Sequence, residues 1–102
     1  LQYLKLSGLA RDIAFLIVIG VFRHLERIDS LMDSAMENWT LDRLSLIDRN
    51  LLRLAIYELA YLKEVPFKTT INEAIEIAKK YASESSGKFV NGILNSISVE
   101  LK

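Results

Sequence analysis

The sequence predicts an all-α fold of about four or five helices, and three observations predict it. Apolar residues recur at helical spacing along most of the chain. No stretch shows the strict alternation that a half-buried strand requires. One proline and four glycines leave few interruptions. At 102 residues the chain suits one domain spanning 1–102 with a single core. Hydrophobic residues make up 51% and charged residues 25%, an ordinary globular balance that argues against disorder.

Leu1 to Gly8 lack a starting methionine and read as a truncated or processed start, with Ser7 and Gly8 opening the next element. From Leu9 to about Met36 the pattern is helical, with a break or kink expected near Gly20. Its middle, Ile13 to Phe22, is an uncharged apolar run of ten residues. At about 1.5 Å per residue it reaches roughly 15 Å, half of a hydrocarbon core, so it reads as a helix packed on more than one side and not as a membrane span. Glu26, Asp29, Asp33 and Glu37 then follow at steps of three or four. Four carboxylates on one face could bind a metal or do acid/base work, but a solvated stripe is the commoner meaning of such spacing, with Arg23 and Arg27 as weak exposed partners. Asn38 to Leu44 breaks the period, with Trp39 read as a plug between helices and Thr40 as a cap.

Leu44 to Leu62 is the central helix. Ser45 and Asp48 resemble a capping box, and a carboxylate in the first turn suits the positive end of the helix dipole. Apolar residues at 47, 51, 52, 54, 55, 56, 59 and 62 cover well over half the circumference, so other helices must surround it. Asn50, Arg53 and Tyr57 form one narrow wetter strip. Pro66 marks a connector over 63–69. Thr70 and Glu73 form a second capping box opening an amphipathic helix, with Ile71, Ala74, Ile75, Ala78 and Tyr81 on its apolar face. A last helix from about Ser86 to Leu101 buries Phe89, Val90, Ile93, Leu94 and Ile97. Lys88, Asn91 and Asn95 project oppositely, and Gly92 beside them leaves room for something to approach.

The chemistry is sparse. Thirteen basic residues balance thirteen acidic ones, which excludes binding of nucleic acid by bulk charge but not by a local patch. There is no cysteine and one histidine, His24, so neither a disulfide framework nor a histidine-based zinc site can form. No phosphate loop, metalloprotease motif or nucleophile elbow occurs. The chain is therefore not expected to be an enzyme or to need a cofactor, and the lack of cysteine is compatible with the cytoplasm. His24 suits a surface or packing role. Arg49 and Arg53, one turn apart, could clamp an anion or pair with Asp48, Glu58 or carboxylates of a neighbouring helix. Lys79, Lys80 and Lys88 are the one late basic grouping, with Tyr81 and Phe89 as stacking surfaces.

Five blocks in order resemble the bacterial NusB family of transcription antitermination factors. They are Asn38–Ser45, Asp48–Leu59, Val65–Lys68, Ile71–Tyr81 and Lys88–Leu94. The resemblance covers roughly Leu25 to Ile97 and implies a NusB-like helical bundle with a non-enzymatic role. It implies binding of boxA leader RNA of ribosomal RNA operons, together with the ribosomal protein NusE, in the RNA polymerase antitermination complex. The family's acidic partner patch matches Asp42 and Asp48, with Glu84 and Ser85 beside the last block; Ser85 stands where some members have aspartate. Lys88 and Phe89 match the block near the family's RNA groove, which makes the Lys88, Phe89 and Asn91 side the RNA candidate. The usual arginine-rich first helix has no counterpart here. A missing covering helix would explain the apolar run at Ile13–Phe22, and a homodimer through that run is the corresponding expectation. Two other readings stand beside this one. The chain could be an accessory module of a ribosomal RNA cytosine methyltransferase, or a helical dimerisation domain without RNA binding.

Overall fold

The computed structural model describes residues 8–36 and 44–102, with side chains described from residue 15 onward in the first segment. Trp39, Thr40 and Glu37 lie outside the described residues, as does Asp42. Five helices follow one another: α1 (Gly8–Arg23), α2 (Leu25–Ala35), α3 (Leu46–Tyr61), α4 (Phe67–Tyr81) and α5 (Glu84–Leu101). No strand occurs among the described residues. The fold is all-α, as expected.

Helix α3 touches each of the other four. Its start is fixed by Ser45, whose Oγ accepts from the Asp48 amide at 3.1 Å. The reciprocal half of the capping box does not form, because the Asp48 carboxylate turns toward α5. Leu51, Leu52, Ala55, Ile56, Leu59 and Ala60 are buried on α3. Full burial of Leu52, Ile56 and Leu59 contributes about 2 kcal/mol each. Around them pack Ile28 and Met32 of α2, Ile71, Ala74 and Ala78 of α4, and Val90, Ile93, Leu94 and Ile97 of α5. Ile47, expected in the core, is instead exposed, because the first turn of α3 turns Asp48, not Ile47, toward α5.

Asn50 is exposed and Arg53 and Tyr57 are half-buried, so the wetter strip is real. Arg53 holds Asp29 of α2 with two hydrogen bonds, Nε to Oδ1 and Nη2 to Oδ2, both 2.9 Å. Of the two readings of this arginine, the ion pair with a neighbouring helix is the one formed. It also removes Asp29 from the acidic stripe.

Three boundaries differ from expectation. The break in the first helical run falls at His24, not near Gly20. The His24 amide is shared between the Gly20 and Val21 carbonyls, each at 3.2 Å, and its carbonyl accepts from Ile28 at 2.9 Å, so helix resumes at once. The His24 ring stacks on Tyr61 with centroids 4.0 Å apart, while the Arg27 guanidinium lies 5.4 Å from the centre of that tyrosine. Gly20 serves another purpose: a Cβ there would overlap the hydroxyl and ring of Tyr57, so this glycine lets α1 and α3 approach. Helix α4 starts at Phe67 with Pro66 as its cap residue, one turn before Thr70. A proline at a helix entrance forgoes an amide hydrogen that has no intrahelical acceptor anyway. Thr70 is buried and donates its hydroxyl to Glu58 Oε2 of α3 at 3.1 Å, so it joins two helices instead of capping one. Helix α5 starts at Glu84, two residues before the expected point, capped by Ser83 Oγ accepting from the Ser86 amide at 3.0 Å.

A glycine in a helix interior costs about 1 kcal/mol relative to alanine, but at Gly20, which is buried, overlap with Tyr57 outweighs that gain. Gly20→Ala is expected to destabilise the fold by about 2 kcal/mol, as overpacking does. Urea denaturation checks it; an unchanged or raised midpoint would mean that Tyr57 moves aside freely.

Candidate functional site

The N-terminal ends of α3 and α5 are tied together. Ser45 caps the first, Ser83 caps the second, and the Ser86 hydroxyl donates to Asp48 Oδ2 at 3.2 Å between them. Asp48 is 7% exposed, and its other oxygen, Oδ1, is buried without a hydrogen-bond partner. A buried carboxylate oxygen left without a donor costs stability, and no donor among the described residues reaches this one. Of the other partner candidates, Glu84 is exposed and reaches Lys79 Nζ only at 4.0 Å, a loose contact, and Ser85 is exposed.

On α5, Lys88 and Asn91 are exposed, whereas Phe89 is half-buried and packs on the core. The three RNA candidates therefore divide: two project outward and the third is part wall, part surface. Asn95 Nδ2 donates to both the backbone carbonyl and Oδ1 of Asn91, linking the two amides along the face. Tyr81, expected on the buried face of α4, is 57% exposed, and the Lys80 ammonium lies 5.4 Å from its ring centre. Position 81 is the last of α4, past its last buried residue Ala78, so the spacing that predicts burial fails at the helix end. This pair lies at the end of α4, just before the turn into α5. No group of residues able to hold a metal ion occurs among the described residues.

A second region is apolar. Phe15, Leu16, Val18 and Phe22 of α1 are 65%, 65%, 45% and 73% exposed. Beside them a groove of about 170 Å³ runs between α1, α3 and α4, with Ile17, Leu54 and Ile77 in its walls and Glu58, Thr70 and Glu73 as its polar members. Burial pushes the Glu58 carboxyl above its ordinary 4.5, against the opposing effect of the Thr70 hydrogen bond, and the nearby Glu73 charge adds to the rise. Sequence reading missed this groove because its two carboxylates meet only when α3 and α4 pack. No helix among the described residues is long and apolar enough to cross a membrane.

The described chain is an all-helical bundle in which the starts of α3 and α5 meet through Asp48 and Ser86, and no metal-binding cluster occurs among its described residues. The NusB family model matches residues 1–99, and the chain belongs to the NusB family. The transcription antitermination protein NusB of Thermotoga maritima is 52% identical over 91 residues, 89% of this chain. That of Fervidobacterium nodosum is 55% identical over 83 residues, 81% of this chain. The chain spans 64% and 59% of the lengths of these two relatives. A solved structure of T. maritima NusB superposes with a TM-score of 0.86 at 49% identity, covering 94% of this chain and 68% of that one. A chain in the crystal structure of a plectonemic RNA supercoil superposes with a TM-score of 0.84 at 37% identity, covering 93% and 69%.

The raised Glu58 carboxyl gives a pH signature. Below about pH 4.5 the group is protonated whether the chain is folded or unfolded; above it the folded state holds the proton more tightly, so stability falls as pH rises through the folded value. Glu58→Gln keeps an acceptor for Thr70 and removes this loss. The variant is expected to have the higher Tm at pH 7, with the difference vanishing below about pH 4.5. A Tm difference independent of pH would contradict it.

Proposed function

We propose that this chain is an RNA-binding transcription antitermination factor that takes boxA leader RNA of ribosomal RNA operons together with the ribosomal protein NusE, within the RNA polymerase antitermination complex. The observation that supports it most is the arrangement at the α3–α5 end, on a chain whose relatives carry the antitermination name. There Asp48 keeps a buried carboxylate oxygen with no donor, and the opposite, outward side of α5 presents an exposed cation and amides. Lys88 meets phosphate, Asn91 supplies amide hydrogen bonds, and the exposed part of Phe89 offers a base a stacking surface. NusE is received at Asp42, Asp48, Glu84 and Ser85.

Titration of boxA RNA with and without NusE tests this reading. Binding that NusE strengthens is expected, and Lys88→Ala should weaken it while lowering the salt slope by about one phosphate contact. Absence of both binary and ternary complexes would remove the RNA function.

The exposed apolar side of α1 favours a further part of the same reading, a homodimer through Ile13–Phe22. Two copies related by a two-fold axis bring the same apolar side chains together from both sides, so one patch provides both halves of the interface. Sedimentation of the chain at micromolar concentration is expected to show a dimer that Phe22→Glu dissociates; a well-folded monomer would contradict it.

A further inference from the structure

Gly92 lies in the middle of α5, where glycine lowers helix stability relative to alanine. The other glycines with described surroundings have a reason inside the chain. A Cβ at Gly20 would overlap Tyr57, and one at Gly87 would come within 2.8 Å of the Lys79 side chain. At Gly92 an added Cβ would meet nothing within 4 Å, and the residue is exposed. Packing among the described residues therefore gives no reason for a glycine there. Close approach of another molecule's backbone does.

The surroundings say what kind of molecule. Lys88, Asn91, Gly92 and Asn95 fall at i, i+3, i+4 and i+7, one face of the helix, and all four are exposed. From Lys88 to Val99 helix α5 carries no carboxylate, so the face presents one positive charge and no negative one. Because Asn91 accepts from Asn95 through Oδ1, its own amide hydrogens remain for an outside acceptor. A cation and amide donors flanking a bare stretch of helix backbone fit a sugar-phosphate chain, which supplies acceptors and negative charge and has to lie close. We infer that the sugar-phosphate backbone of single-stranded RNA crosses α5 directly over Gly92, between Lys88 and Asn95, and that the missing side chain sets how closely it docks. This rests on the RNA-binding reading above and adds to it a steric contact residue without charge or hydrogen-bonding side chain.

Gly92→Ala separates the two. The variant is expected to fold more stably than the parent, with Tm raised by about 4 °C, while binding boxA RNA about tenfold more weakly. The dependence of affinity on salt should be unchanged, since no charge is lost, in contrast to Lys88→Ala. Equal RNA affinity of Gly92→Ala and parent would overturn the inference while leaving RNA binding intact. Failure of the parent to bind RNA at all would instead overturn the reading on which it rests, and this inference with it. An effect of Gly92→Ala confined to self-association or to NusE affinity would assign the face to a protein and overturn the RNA contact.

Discussion

Packing of four helices around α3 governs the rest of the molecule. A helix that buries Leu51, Leu52, Ala55, Ile56, Leu59 and Ala60 can leave only a strip for water, and Arg53 and Tyr57 occupy that strip in contact with α2 and α1. The apolar burial is not directional, so the polar contacts at its edges fix which neighbour lies where. Arg53 selects Asp29 on α2, Glu58 takes Thr70 on α4, and Asp48 takes Ser86 on α5. Each pair joins α3 to a different helix. Helices α3 and α5 start side by side with Asp48 reaching across to Ser86, and Glu84, Ser85 and Lys88 follow within the first turns of α5.

Much of this was legible from residues alone. The breadth of apolar coverage identified α3 as central, and Ser45 marked its start because a cap acts on an amide three residues away. Ion pairing of Arg53 was foreseen without its partner. What escaped depends on distant residues. Gly20 was read as a breaker because glycine usually interrupts helices, yet its role is set by Tyr57 on another helix. Thr70 looked like a cap because Glu73 follows at the right spacing, yet its hydroxyl is taken by Glu58. Asp48 looked like half of a capping box, and nothing local told that Ser86 would claim the carboxylate. At the site, the outward side of α5 was visible from periodicity, whereas the exposure of Tyr81 and the burial of Asp48 were not.

Two features have no explanation within the described packing, and both lie near the proposed recognition surface. One is a carboxylate oxygen, Asp48 Oδ1, removed from water with no donor. The other is a glycine in mid-helix with nothing against it. A fold selected for stability alone would replace both. In the proposed function Asp48 lies at the partner surface and the RNA backbone comes close to the glycine. The apolar side of α1 is a separate matter, since it asks for coverage and not for specific polar contacts.

The central claim, that recognition of RNA belongs to the outward face of α5 and the adjoining end of α4, is tested most directly by backbone amide chemical shifts during titration with single-stranded boxA RNA. The account predicts that the largest changes fall on residues 80–81 and 88–95, with α1 and the α1–α2 junction at His24 unmoved. Changes concentrated on α1 or around His24, with α5 silent, would contradict it.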